Sequence, residues 1–218
     1  MKNRTALLAL SAVSGGLFLL TLVLVRTVDV AAVGPAGTSI GLSHLNAAFH
    51  QLTGQHPLFY SISSLLGYGI LALAALMAVL GLIQLIQERS LRKVEPSFLL
   101  LGGLYAVTLA LYALFEVVII NYRPILEAGQ TFPEASFPST HTMLAVVILG
   151  SLSLLLERYV YDEVYCRALK SLCWVVMATT VVTRLLSGVH WLTDILAGVF
   201  LGLFLVLAFD LMLEELGA

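Results

Sequence analysis

The sequence predicts an all-α integral membrane protein, a bundle of about six transmembrane helices. Hydrophobic residues make up 60% of the 218 residues and charged residues only 11%, whereas soluble domains have roughly 45–50% and ~25%. A soluble fold of this length would expose much of that apolar surface to water. The net charge of −2 predicts no basic surface for nucleic acid, so membrane lipids are the expected surroundings.

Six apolar stretches have the length and composition of membrane spans, which need about 20 mostly apolar residues. They are Ala6–Val25, Leu58–Ile86, Phe98–Ile120, Thr142–Leu156, Ser171–Leu186 and Leu192–Met212. The fourth and fifth are short, and we expect them to extend into their flanks. We expect residues 1–218 to form a single six-span membrane domain.

Lysine and arginine residues lie mainly in the loops on one side of the predicted bundle. That side holds Lys2, Arg4, Arg89, Arg92, Lys93, Arg158, Arg167 and Lys170, and the other holds Arg26, Arg123 and Arg184. Short loops rich in Lys and Arg stay in the cytoplasm, which predicts a multi-pass protein of the cell membrane with both termini cytoplasmic. The first apolar run is too long for a typical signal peptide, so we expect it to be retained.

The segment between the first two spans lies on the outer side in this topology. Within it, Asn46–Leu52 is predicted to form a short amphipathic helix on the membrane surface. Its histidines, His44, His50 and His56, have a spacing that suits no closed metal site. We therefore expect them to be interfacial or solvated.

Three short polar segments interrupt the apolar pattern, and the predicted topology brings all of them to the outer face. They are Asn121–Pro124, Phe137–His141 and Thr183–Asp194. An arginine at a helix end is often only a snorkelling anchor, and a histidine near an interface is often only polar. Their joint occurrence at one face indicates a functional site instead.

The chemistry of these side chains suits phosphoryl transfer. Arginines present a planar fork of donors that matches phosphate oxygens. A histidine can attack phosphorus covalently, and His190 and Asp194 are four residues apart, which places them on one face of a helix. A second histidine can protonate the leaving oxygen. Ser139 precedes the fourth span, where free backbone N–H groups at a helix start would face an anion.

These segments resemble the three-part signature of the type 2 phosphatidic acid phosphatase superfamily of lipid phosphatases. That signature reads K-x6-R-P, then P-S-G-H, then S-R-x5-H-x3-D. It appears here as Glu116-x6-Arg123-Pro124, Pro138-Ser139-Thr140-His141 and Thr183-Arg184-x5-His190-x3-Asp194. The resemblance covers residues 116–194, and the six-span layout extends it over most of the chain.

The resemblance implies a role for each matched residue. His190 would be the nucleophile that forms a phosphohistidine, Asp194 would orient it, and His141 would be the general acid. The phosphate would be held by Arg123, Arg184 and Ser139, with Thr140 beside it. The family works without a metal or another cofactor, and no metal-spaced cluster of Cys and His is evident in the sequence.

Three positions depart from the signature. Thr183 replaces serine, Thr140 replaces glycine, and Glu116 replaces lysine. We expect Glu116 and Thr183 to be accessory residues of the site. A carboxylate cannot attract phosphate, so we expect Glu116 to pair with Arg123 or Arg184.

The sequence therefore predicts a lipid phosphatase that acts at the outer face of the membrane. We expect its substrate to be a polyprenyl diphosphate such as undecaprenyl diphosphate, with phosphatidylglycerol phosphate and phosphatidic acid as alternatives. A lipid phosphotransferase would use the same residues. A transporter or lipid-binding protein is disfavoured because the polar residues cluster at one face and not at mid-membrane. The sequence carries no signal for the oligomeric state.

Overall fold

The computed structural model describes residues 4–126 and 129–216. Its α-helices within these ranges are α1 (Arg4–Thr27), α2 (Ser43–Thr53), α3 (Pro57–Glu88), α4 (Pro96–Val117), α5 (Thr140–Tyr159), α6 (Glu163–Leu186) and α7 (Leu192–Glu215). All of these except α2 are long and apolar enough to cross a membrane. The all-helical, six-span prediction is thus confirmed for the described residues, and the fourth and fifth spans do extend into their flanks.

Helices α5 and α7 form the centre of the bundle. In the most apolar window of α5, 61% of the residues are buried, against 6% in α3, so α3 presents most of its surface to the surroundings. Below the polar face, the rings of Phe18 and Phe137 pack with centroids 6.2 Å apart, and Phe115 contacts Phe18 at 6.1 Å. This aromatic layer closes the apolar core directly under the polar segments.

Both ends of the described chain lie at the end of the bundle away from the polar segments. Arg4 at the start of α1 pairs with Glu215 at the end of α7. Arg158 at the end of α5 donates to the carbonyl of Leu213, 3.5 Å away. Lys2, which belongs to the predicted cytoplasmic charge cluster, lies outside the described residues.

The surface helix predicted at Asn46–Leu52 is present as part of α2. Its start is fixed by Asp29, whose carboxylate accepts hydrogen bonds from the Ser43 hydroxyl at 3.0 Å and the His44 N–H at 2.8 Å. Such a carboxylate satisfies N–H groups that a helix start leaves without partners. The side chain of Asn46 then joins α2 to α7, donating to the Thr193 hydroxyl at 3.0 Å and accepting from the Thr193 N–H at 3.2 Å.

Helix α4 ends at Val117, three residues before the predicted end of the third span at Ile120. Beyond it the chain pairs with the segment that precedes α5. Ser136 N–H donates to the Asn121 carbonyl at 2.9 Å, and Arg123 N–H donates to the Glu134 carbonyl at 2.9 Å. These bonds give the backbone groups partners that a further helical turn would have supplied, and they bring two of the polar segments together.

Candidate active site

The three polar segments converge at the end of the bundle formed by the starts of α5 and α7 and the end of α6. Ser139 N–H donates to the Asp194 carbonyl at 2.9 Å, and this bond joins the second segment to the third. Helix α7 and the start of α5 approach each other closely here, since a Cβ atom at Gly198 would lie 2.7 Å from the Ser139 carbonyl oxygen. The first segment is attached through the indole N–H of Trp191, which donates to the Tyr122 carbonyl at 2.7 Å.

His190 lies in the turn between α6 and α7 and is 4% exposed. Its Nδ1 is 3.1 Å from the carbonyl oxygen of Ser136. A carbonyl oxygen can only accept, so Nδ1 carries the proton and Nε2 keeps its lone pair. Nε2 is buried and has no hydrogen-bond partner among the described residues, while the ring itself borders a pocket. This is the orientation that a nucleophilic imidazole requires.

The electrostatic surroundings of His190 favour its neutral form. Burial is the main cause that holds the pKa of His190 well below its usual range, and the positive charges of Arg184 and Arg123 lower it further. A protonated imidazole has no lone pair on Nε2 and cannot attack phosphorus. The two arginines therefore keep the ring reactive and are also the groups best suited to bind a phosphate beside it.

Asp194 is fully buried at the start of α7. Its Oδ2 accepts a hydrogen bond from the Trp191 N–H at 3.0 Å and lies 3.6 Å from His190 Nδ1. The carboxylate therefore caps α7 and also places a negative charge beside the imidazole. The side chains of Asn121 and Ser136 lie on its other side. The predicted proximity of Asp194 to His190 is present, but the Ser136 carbonyl is the nearer acceptor.

The two arginines occupy different environments. Arg123 borders the pocket, and its Nη2 lies 3.1 Å from Oε2 of Glu134. Arg184 is 1% exposed, and its guanidinium carbon lies 5.4 Å from the ring centroid of Tyr60, a cation–π contact. The ring of Tyr60 and the carboxylate of Glu134 thus restrict the orientation of these long side chains.

The remaining residues of the second segment lie at the start of α5. His141 lies in the first turn of α5, where its ring faces Gly67 of α3; a Cβ atom there would be 3.1 Å from its Cδ2. Ser139 is fully buried, and its hydroxyl has no hydrogen-bond partner among the described residues. Thr140 borders the pocket together with His190.

Two of the departures from the signature have different surroundings from those expected. The hydroxyl of Thr183 donates to the Thr179 carbonyl of its own helix at 2.6 Å, so it does not serve the pocket. Glu116 is exposed and borders the pocket, and the carboxylate that pairs with Arg123 is that of Glu134. The expected pairing of Glu116 with a site arginine is not among the ion pairs of the described residues.

Glu134, Ser136 and Tyr60 are parts of the site that the sequence analysis did not identify. Glu134 and Ser136 lie in an irregular segment without periodicity, and Ser136 acts through its backbone carbonyl, which leaves no signature in side-chain identity. Tyr60 looks like an ordinary aromatic residue at a membrane interface. For Glu134, the one sequence feature that points to the site is its closeness along the chain to Pro138 and His141.

No group of three or more His, Cys, Asp or Glu side chains within residues 4–126 and 129–216 has the arrangement of a metal site. His44 is exposed and pairs with Asp29. His50 donates from Nε2 to the Gly188 carbonyl at 3.0 Å, so it supports the turn that carries His190.

Residues 69–216 match the PAP2 superfamily, and the chain belongs to that family of membrane phosphatases. The family that its motifs resemble is thereby confirmed. A solved structure, the transmembrane PAP2-type phosphatidylglycerolphosphate phosphatase from Bacillus subtilis, has the same fold, with a TM-score of 0.66 at 20% identity over 93% of this chain and 96% of that one. No curated protein matches the chain.

Proposed function

We propose that this protein is a lipid phosphatase in which Nε2 of His190 attacks the phosphorus of a phosphorylated lipid. The observation that carries the proposal is the hydrogen bond from His190 Nδ1 to the Ser136 carbonyl. It fixes the tautomer and leaves the lone pair of Nε2 at a pocket that Arg123 also borders. Membership of the PAP2 superfamily supports phosphoryl chemistry at this site.

The reaction proceeds in two steps. In the first, the Nε2 lone pair forms a bond to phosphorus, and the bond from phosphorus to the leaving oxygen breaks. That oxygen belongs to the lipid alcohol of a monoester or to the lipid monophosphate of a diphosphate, and it takes a proton from His141. Arg123, Arg184 and the Ser139 hydroxyl stabilise the charge on the remaining phosphoryl oxygens. In the second, water attacks the phosphohistidine and gives its proton to His141. Inorganic phosphate leaves, and His190 regains its lone pair.

In this proposal an amphiphilic substrate enters the site laterally from the bilayer. The catalytic segments occupy one end of a bundle whose other end carries most of the lysines and arginines, which favours an outer location for the site by the charge bias of short loops. The head group would meet the arginines while the tails remain in lipid. The acceptor in the second step is water in this proposal, and an alcohol acceptor would make the protein a phosphotransferase.

The phosphorylated lipid itself is the open part of the proposal. A polyprenyl diphosphate is the substrate expected from the motif. Phosphatidylglycerol phosphate is a second candidate, because the protein of similar fold from Bacillus subtilis is a phosphatase for that lipid. Phosphatidic acid is the simplest glycerolipid monoester for comparison.

The direct experiment is to measure phosphate release from these three lipids by purified protein in mixed micelles of one detergent. We expect release by the wild type, none by His190→Ala, inhibition by vanadate, and full activity in the presence of a metal chelator. Release by His190→Ala at the wild-type rate contradicts the proposed nucleophile. Loss of activity in chelator that added metal restores contradicts the metal-independent mechanism.

A further inference from the structure

Glu116 occupies a position from which its charge acts on any bound phosphate. It lies in the last turn of α4 and borders the same pocket as Arg123, Thr140 and His190. Its side chain is exposed at the mouth of that pocket. The family signature has a lysine at this place, so the local charge differs by two units from that of the signature.

Arg123 forms its ion pair with a carboxylate other than that of Glu116. Its Nη2 lies 3.1 Å from the carboxylate of Glu134, and its backbone N–H is bonded to the Glu134 carbonyl at 2.9 Å. Glu134 is itself held by the Gln130 amide, which donates to its Oε1 at 2.6 Å. The side chain and the backbone of Glu134 therefore contact the same arginine, and part of its positive charge is neutralised before any substrate binds.

The positive charge of Arg123 at the pocket is therefore partly offset by Glu134. Glu116 adds a negative charge that borders the same pocket. A phosphate monoester carries about −1.5 to −2 at pH 7, and the second phosphate of a diphosphate brings additional negative charge to the same small region. Like charges repel, and the repulsion grows where water is partly excluded from between them.

We infer that Glu116 is a specificity-determining residue that selects lipid phosphate monoesters against diphosphates carrying the same lipid tail. This inference rests on the proposed phosphatase function. It reverses the substrate order expected from the sequence, because that expectation assumed that Arg123 or Arg184 neutralises Glu116. The substrate class is a single phosphate on an apolar tail, either a glycerolipid or an isoprenoid.

The test uses two substrates that differ by one phosphate, farnesyl phosphate and farnesyl diphosphate, in the same detergent micelles. A diphosphate has the better leaving group, so the informative quantity is the ratio of kcat/KM for diphosphate to that for monophosphate in each variant. We compare the wild type with Glu116→Gln and Glu116→Lys. Glu88→Gln is the matched control, because it removes one exposed carboxylate at the far end of α3.

The ratio is expected to rise on the order of tenfold in Glu116→Gln and further in Glu116→Lys, as a single nearby charge contributes about that much. Activity on the monophosphate should rise by a smaller factor than activity on the diphosphate, and Glu88→Gln should match the wild type. An unchanged ratio in Glu116→Gln overturns the inference and leaves the phosphatase proposal intact. If wild-type protein hydrolyses neither compound nor any glycerolipid phosphate, the proposed function fails, and the inference fails with it.

A binding measurement on the wild type supports the test without any variant. Inorganic phosphate and methylenediphosphonate, a diphosphate analogue that resists hydrolysis, are compared as competitive inhibitors of farnesyl phosphate hydrolysis. We expect methylenediphosphonate to bind no more tightly than phosphate. An inhibition constant for the diphosphonate tenfold or more below that for phosphate contradicts the inference.

Discussion

At the scale of single residues, the orientation of His190 depends on a backbone group. The sequence assigned that task to Asp194, and the carboxylate does lie 3.6 Å from Nδ1. The Ser136 carbonyl is closer, at 3.1 Å, and it remains in place whatever side chain occupies position 194. Asp194 has the additional task of capping α7 through the Trp191 N–H.

This arrangement predicts a moderate effect for Asp194→Asn. Asparagine is also a good helix cap, and the Ser136 carbonyl continues to hold the tautomer, so only the stabilising charge is lost. We expect kcat to fall about 10- to 100-fold, well short of the loss of about 10⁴ seen when a serine protease triad loses its tautomer control. The rate of phosphate release gives kcat, and thermal unfolding of the same preparation checks that the variant is folded. A loss as large as that of His190→Ala, in folded protein, would show that the carboxylate alone sets the tautomer.

The protonation state of His190 predicts where activity is lost on acidification. The group is reactive when neutral, and its pKa in the folded protein lies well below the usual value of 6.5. The neutral form therefore persists at pH 6.5 and is lost only as the pH falls through the lowered pKa.

The measurement is the pH dependence of inactivation by a histidine-directed acylating reagent, with vanadate as the protecting ligand. This readout avoids the substrate phosphate, which itself titrates near pH 6. We expect the vanadate-protected rate to stay constant from pH 8 to below pH 6.5. A midpoint at or above pH 6.5 contradicts the lowered pKa.

At the scale of elements, the turn between α6 and α7 sets the position of His190, the proposed nucleophile. Gly188 has φ +74°, and a Cβ atom there would lie 2.5 Å from the Gly54 carbonyl oxygen. The turn is also bonded to α2 through His50. Helix α6 ends at Leu186, directly before this turn, and the positive φ with the close approach of Gly54 explains why glycine is required.

Gly188→Ala is therefore expected to destabilise the protein by about 1–3 kcal/mol, through backbone strain and the contact with Gly54, and to lower kcat by displacing His190. Gly102→Ala is the matched control, because Gly102 lies within α4 with nothing within 4 Å of its Cβ position. Alanine there should be neutral or stabilising by up to about 1 kcal/mol. Thermal unfolding in detergent compares the two, and equal stability would contradict the role of the turn.

The elements that the sequence predicted are those with a strong physical signal. All six spans follow from length and apolarity, and α2 follows from its amphipathic pattern. The pairing of Asn121 with Ser136 and of Arg123 with Glu134 was not predicted, because irregular segments have no periodicity that reveals their hydrogen bonds. The attachment of α2 to α7 by Asn46 was also missed, since one buried amide looks like any other polar residue in sequence.

At the scale of the whole molecule, the catalytic segments and the positively charged loops lie at opposite ends of the bundle. The fixed spacing of the polar motifs identified the family and predicted the principal site residues. The substrate depends instead on the distances between charges contributed by different segments. Glu134 alters the charge of the site without belonging to any of the motifs, so the sequence alone could not establish its effect.

This arrangement predicts the orientation of the protein in the cell. In a background with Cys166 and Cys173 replaced by alanine, Phe132→Cys places a thiol at an exposed residue on the site end, and Tyr161→Cys places one in the exposed loop between α5 and α6. We expect an impermeant maleimide to label position 132 in intact cells and position 161 only after permeabilisation. The opposite pattern would place the site in the cytoplasm.

The central claim is that His190 carries the phosphoryl group. The most direct measurement uses a lipid monophosphate labelled in its phosphate, mixed with purified protein and stopped within milliseconds to seconds in alkaline detergent. We predict a label on the protein that survives alkali and is lost in acid, as a phosphohistidine would be, that maps to the peptide containing His190 and that is missing in His190→Ala. Steady release of phosphate with no labelled protein at any time, or a label of equal amount in His190→Ala, would contradict the account.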